Sequence, residues 1–328
     1  MIKLYLAPME ELTGYVFRNT IAHHFGCIDK YFTPFISPDN RITKTKSAEE
    51  ISPSNNEGLN VVPQLLTNDA SLFNDAAKLL AGMGYDEINI NFGCPSNTVA
   101  AKCKGSGILR DPDLMDRFLD GVFNGEDSAL AIYPHLRISV KTRIGYNAAS
   151  DFDKVCDILN RYPFSEIIVH PRLKKDLYNG RCRMEMFDMA CDRLGNKLVY
   201  NGDIFSPEDY LNMSDNIEDP TGKYHETVTG VMIGRGAVMN PGIFRQIRTG
   251  QAVTINELYD FLNDLYDTYK DALGTGNAIS KMKEVWSYTT RLIPDEKDRA
   301  ATFKNIIKSS GEAQYKDSIM IAKRKLVL

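Results

Sequence analysis

The segment "NINFGCPSNTVAAKCKGSG", residues 89–107, sets a cysteine between a glycine and a proline at the end of an apolar run. Gly93 and Pro95 turn the chain around Cys94, so the thiol is not buried deep in a sheet. Two kinds of role suit it: a small residue filling a tight corner, or a thiol held out for chemistry. Cys103, further along the same segment, adds a third reading, a redox pair.

Other chemistry-bearing residues recur at the ends of similar runs. In chain order they are Pro8, Met9 and Glu10; Gln64; Asn91 with Cys94; Lys141 with Arg143; His170 with Arg172; Asn201, Gly202 and Asp203; and Gly234, Arg235 and Gly236. Singly, each has an ordinary structural explanation. Their recurrence at one position in successive runs points to a single rim.

The runs themselves are "KLYLAPM", "DKYFTPF", "LNVVPQLL", "DEININ", "RISVKTR", "EIIVHPR", "KLVYNGDI" and "TGVMIGRG". Segments of helical period separate most of them, among them "NDASLFNDAAKLLAGMG", "RDPDLMDRFLDGVF" and "DFDKVCDILNRY". Apolar strands alternating with helices predict a parallel sheet covered by helices, and eight such units predict a (β/α)₈ TIM barrel, an α/β fold. The polar stretch 215–227 reads as a loop inserted before the last strand. In such a barrel the strand C-termini build the active site, and the glycines after strands seven and eight commonly hold a phosphate. Gly202, Gly234 and Arg235 fit a phosphate. Lys141 and His170 supply positive charge to an electron-rich ring, a combination that suits flavin mononucleotide (FMN).

After Arg248 the strands stop. "INELYDFLNDLYDTYKDAL", "ISKMKEVWSYTTRLI", "DEKDRAATFKNIIKSS" and "YKDSIMIAKRKLVL" all read as helices. The division predicted is therefore a catalytic barrel over 1–248 and a smaller all-α domain over 249–328. Lysines accumulate in the later helices: Lys281, Lys283, Lys304, Lys308, Lys323 and Lys325, with Arg324. A formal net charge of −4 gives no overall sign of nucleic-acid binding, so any RNA contact must be gathered locally. Six cysteines without a C-x-x-C pair argue against a zinc cage or a disulfide framework. No apolar run is long enough for a membrane span and the N-terminus lacks a signal-peptide layout, which predicts a cytoplasmic protein.

With those residues in view, "APME", "NINFGCPSNTV" followed by "GSGILRDP", "VKTRIGY", "VHPR", "NGDI" and "IGRGA" resemble the tRNA-dihydrouridine synthases, in the same order and at similar spacing. The resemblance covers the barrel and reaches the tail at "KMKEVWSY". It implies a (β/α)₈ flavoenzyme with a helical RNA-binding domain, which uses NADPH-reduced FMN to reduce particular tRNA uridines. By matching motifs it implies Cys94 as the catalytic cysteine. It implies Pro8, Met9, Glu10, Gln64, Lys141, His170, Asn201, Gly202, Asp203, Gly234 and Arg235 as FMN residues. Asn91 and Arg143 then lie near the uracil, and Lys281 and Lys283 contact tRNA. The sequence departs from many family members at Pro171, where they carry glycine, and in the extra lysines and second cysteine of "AAKCKGSG".

Reducing the C5–C6 double bond of uracil takes a hydride at C6 and a proton at C5. A thiol with an ordinary pKa near 8.5 is largely protonated at neutral pH yet yields its proton readily, so Cys94 is expected to act as the general acid. A uridine in folded tRNA must be turned out of its stack to reach it. The runner-up is an FMN-dependent oxidoreductase of a free pyrimidine, for which the lysine-bearing tail has no use. No metal and no obligate protein partner are implied.

Overall fold

The computed structural model describes residues 2–38, 42 and 47–328. Among the described residues nine parallel strands form one sheet: β1 (Lys3–Leu6), β2 (Lys30–Phe32), β3 (Val61–Val62), β4 (Gln64–Leu65), β5 (Glu87–Phe92), β6 (Arg137–Arg143), β7 (Ile167–His170), β8 (Leu198–Tyr200) and β9 (Val228–Ile233). Their order is β3-β2-β1-β9-β8-β7-β6-β5-β4. Only Pro63 separates the two outermost strands in sequence, and its nitrogen cannot donate to a ladder. β3 pairs with β2 and β4 pairs with β5, so the expected third strand is split at the proline and brings the ends of the sheet together. The predicted eight-unit barrel is the observed one, with its third strand in two pieces.

Helices follow the strands where the sequence carries caps. Asp69 accepts from the Leu72 N–H at 3.1 Å and starts helix Ala70–Gly82. Asp111 does the same for Leu114 at 3.0 Å, with Pro112 at the first position of helix Pro112–Phe123. One expectation needs correction. The stretch from residue 215 is not all loop, because helix Pro207–Glu218 runs into it. Tyr210, Met213 and Ile217, spaced by three and four, are buried and give that helix an apolar face that the acidic residues obscure in the sequence.

The chain divides into two compact units. One comprises Met1–Pro8, Asp29–Asp203 and Asn212–Met232; the other comprises Met9–Ile28, Ile204–Leu211 and Ile233–Leu328. Within the first, Tyr5, Ala7, Phe32, Val62, Ile168, Val199 and Met232 form an apolar cluster. The remainder of that interior is polar. Along β5, Glu87, Asn89 and Asn91 alternate with Ile88, Ile90 and Phe92, and all six are buried.

The second unit is helical, with Tyr15–His24, Ile255–Leu273, Thr275–Thr289, Glu296–Lys308 and Glu312–Lys323 as its main members. Phe17 meets Phe261 edge-on, at 5.7 Å between ring centroids. Trp286 is fully buried and donates to the Tyr315 hydroxyl at 3.1 Å, while Tyr315 stacks on Tyr266. Among the described residues no helix is long and apolar enough to cross a membrane, and no cluster of His, Cys, Asp or Glu is arranged to hold a metal.

Candidate active site

Cys94 is fixed through both of its backbone polar groups. Asn91 Oδ1 accepts the Cys94 N–H at 2.8 Å and the Gly93 N–H at 3.0 Å, closing the turn that begins at the end of β5. The Cys94 carbonyl accepts from the Ser106 N–H at 3.0 Å and from Ser106 Oγ at 2.7 Å. The downstream G-S-G is thus a clamp on the cysteine turn. Gly105 sits at φ +57°, and a Cβ there would lie 2.9 Å from both Cys94 Cβ and the Cys94 carbonyl oxygen, so only glycine fits. Arg143 grips the same turn, donating from Nε to the Gly93 carbonyl at 3.0 Å and from a terminal nitrogen to Leu173 at 2.8 Å.

Register brings the neighbours in. Asn91 of β5 pairs with Lys141 of β6, which pairs with Ile168 of β7; Arg143 pairs with His170. A Cβ on Gly93 would lie 4.0 Å from Lys141 Nζ, which puts the ammonium beside the cysteine turn. Among the described residues Lys141 Nζ has no hydrogen-bond or salt-bridge partner. Burial, and then the Arg143 guanidinium, push its pKa down to about 7, with Cys94 pulling weakly the other way. An amine of this kind is primed to take an anionic partner.

A second cluster surrounds Arg172, which is almost fully buried. Its two terminal nitrogens donate to the Asp203 carboxylate at 3.1 and 2.5 Å. One also reaches Cys182 Sγ at 3.0 Å and His170 Nε2 at 3.1 Å; because a guanidinium only donates, Nε2 is the acceptor. Asn201 donates from its amide to the Met232 carbonyl at 2.8 Å. At Gly202 a Cβ would collide with the Tyr200 hydroxyl, at 1.9 Å, so packing alone already requires glycine.

In the first unit, therefore, Asn91, Cys94, Lys141, Arg143, His170, Asn201, Gly202 and Asp203 lie on the C-terminal halves of β5 to β8 or just beyond them, and Gln64 opens β4, the second piece of the split third strand. Pro8 follows β1 in the same unit. Met9, Glu10, Gly234 and Arg235 belong to the second unit. There the Met9 carbonyl accepts from Leu12 and Thr13, and the Arg235 guanidinium lies over the Phe205 ring at 5.2 Å. Lys281 and Lys283 are engaged within that unit: Lys281 pairs with Glu11, and Lys283 donates to the Ser309 carbonyl at 2.7 Å. Lys297, Lys304 and Lys308, at helical spacing on Glu296–Lys308, are exposed instead. All six cysteines are free thiols, and Cys103 is turned to Arg110 at 3.0 Å.

Sequence reasoning gave no role to Ser106, nor to Lys30, Glu87, Ser139 and Asn89, which the structure joins by hydrogen bonds beneath Asn91 and Gln64. The signal was present in "EININF": a polar residue at every second position of a strand otherwise read as apolar.

A nearly closed ring of parallel strands, with cations, amides and a clamped thiol toward the strand C-termini, defines a TIM-barrel enzyme. The sequence pattern of the dihydrouridine synthases matches residues 5–322, and the chain belongs to that family. It is similar to tRNA-dihydrouridine synthase B of Pseudomonas putida, at 29% identity over 92% of this chain and 86% of that protein. It is similar also to tRNA-dihydrouridine(16) synthase of Aquipseudomonas alcaligenes, at 24% identity over 90% and 92%. Among solved structures, histamine dehydrogenase from Rhizobium sp. 4-9 aligns with a TM-score of 0.53 at 10% identity, over 86% of this chain and 49% of that one. A variant of NCR from Zymomonas mobilis aligns with a TM-score of 0.50 at 11% identity, over 77% and 88%. These two likenesses bear on the fold alone, and they agree with the barrel.

Proposed function

We propose that the chain reduces the C5–C6 double bond of a uridine in tRNA, with FMN as the resident cofactor, NADPH as reductant and Cys94 as proton donor. The observation that carries this reading is the Cys94 turn, pinned by Asn91 on one side and Ser106 on the other beside the unpaired Lys141 ammonium. A thiol used only to fill a corner needs no such restraint on both backbone groups.

The donor set suits a flavin phosphate and ring. Among the described residues nothing pairs with the Lys141 ammonium, whose charge burial disfavours, and an anionic ligand satisfies it. Pro8, Met9, Glu10, Gln64, Lys141, His170, Asn201, Gly202, Asp203, Gly234 and Arg235 are the residues proposed to hold the group. Held by these residues, the reduced flavin would supply hydride chemistry for uracil C6. Cys94 delivers its thiol proton to C5, so the base gains two hydrogens and the sulfur is left as thiolate. Lys141 and Arg143 stabilise that thiolate until a solvent proton restores it. Asn91 and Arg143 orient the flipped base. Residues 249–328 grip tRNA phosphates, leaving residues 1–248 to the chemistry, and the proposed place of action is the cytoplasm.

The test is to load the protein with FMN, reduce it with NADPH and offer tRNA lacking dihydrouridine or, separately, free pyrimidines. The expected result is flavin reoxidation by tRNA alone, with one uridine gaining the mass of two hydrogens. Reoxidation by a free pyrimidine and not by tRNA would transfer the activity to the small-molecule class.

A further inference from the structure

We infer that Glu87, Ser139 and Asn89, deep in the barrel, are positioning residues that set the orientation of the Asn91 amide and through it the Cys94 turn. The inference rests on the reading of Cys94 as the proton donor. Asn91 Nδ2 donates to Gln64 Oε1 at 2.7 Å, Gln64 Nε2 to Asn89 Oδ1 at 2.7 Å, and Asn89 Nδ2 to Ser139 Oγ at 2.9 Å. Ser139 Oγ then donates to Glu87 Oε1 at 2.7 Å. Lys30 closes the chain, donating to both Glu87 oxygens at 3.2 and 2.9 Å and to Glu166 at 2.8 Å.

Each amide or hydroxyl in the middle of this chain could be turned either way, but its two ends are decided by chemistry. At the top, the backbone N–H groups of Gly93 and Cys94 can only donate, so Asn91 must present its oxygen. At the bottom, the Lys30 ammonium can only donate, so Glu87 accepts. With both ends set, one arrangement satisfies every link between them, and it is the one observed. Bulk solvent does not reach the links: Ser139 and Asn89 are fully buried, Gln64 is 1% exposed and Glu87 2%, so a broken link leaves a buried polar group unpaired. Elsewhere the same interior is filled by apolar side chains, so packing does not demand this column. It leads to the turn that carries Cys94.

Removing the Ser139 hydroxyl cuts the chain at its midpoint with almost no change in volume. Asn89 Nδ2 then has no acceptor, and the amides above it are free to turn. Ser128 is the control: it is equally a buried hydroxyl, donates to the Val122 carbonyl at 2.7 Å and has no link to this chain.

The experiment compares wild type, S139A and S128A as full-length proteins, reading the alkylation rate of each cysteine by iodoacetamide with peptide-resolved mass spectrometry. The expected result is a change of about threefold or more at Cys94 in S139A, with Cys103 unchanged and S128A like wild type at Cys94. In single turnover, reoxidation of the reduced protein by tRNA should slow about tenfold in S139A at unchanged half-saturating tRNA concentration. A smaller change at Cys94 in S139A, or an equal one in S128A, overturns the inference. Alkylation requires no turnover, so a wild-type protein that ignores tRNA would sink the proposed function and still leave the chain to be judged.

Discussion

Asp203 holds Arg172 with both carboxylate oxygens, and the arginine is 1% exposed. The pair occupies the carboxylate that the sequence motif assigns to the cofactor, which makes its first duty structural. Cutting Asp203 back to alanine leaves a buried guanidinium without its counter-charge, at a cost of about 3 kcal/mol, the lower end for a broken buried pair because Asp203 is partly open to water and Gly180, His170 and Cys182 still accept from the guanidinium. D203A should lower the urea midpoint of the flavin-free protein clearly, and D203N by less. Equal midpoints for wild type and D203A would show that Asp203 is not needed to hold Arg172.

Lys141 makes the site sensitive to pH. Its folded pKa is pushed down to about 7, whereas the unfolded chain titrates in the ordinary lysine range. Between those values the unfolded chain holds a proton that the folded chain lacks, so this group's contribution to stability rises with pH above about 7. Below about 7 the penalty for the buried charge is fully present. An anionic ligand draws the proton back onto Nζ. FMN affinity should therefore fall from about pH 6.5 to about pH 9, and K141M should bind more weakly with a flatter profile. Calorimetric titration of flavin-free protein across that range is the check. A wild-type profile as flat as that of K141M contradicts the assignment.

The lysines that accumulate in the tail differ in what they touch. Lys281 and Lys283 are spent on Glu11 and Ser309, and Lys325 on Asp298 at 2.7 Å, while Lys304 and Lys308 are exposed. The double variant K304Q/K308Q should weaken tRNA binding and reduce the salt slope of log affinity by about one to two units, with flavin content unchanged. Filter binding at several salt concentrations measures both quantities. An unchanged slope removes these lysines from the interface.

The barrel was legible because β-branched runs such as "EIIVH" and "TGVMI" punctuate the chain at regular intervals, between helices with readable caps such as Asp69 and Asp111. The cysteine turn was legible from Gly93 and Pro95. The polar column was not, because it joins β2, β4, β5 and β6 through side chains far apart in sequence, and Ser139 or Lys30 carries no local mark of its partner. Helix Pro207–Glu218 was partly hidden because its buried positions are few and its exposed ones, Leu211 apart, are acidic or amide-bearing. The roles of Lys281 and Lys283 depend on which acceptors the fold sets against them, which spacing along a helix does not encode.

The most direct test of the account is rapid mixing of NADPH-reduced protein with tRNA lacking dihydrouridine, for wild type and C94A, followed through flavin absorbance. Cys94 as general acid predicts that C94A binds flavin and accepts electrons from NADPH normally but is reoxidised by tRNA about 100-fold more slowly or worse. Reoxidation of C94A by tRNA at the wild-type rate would contradict it.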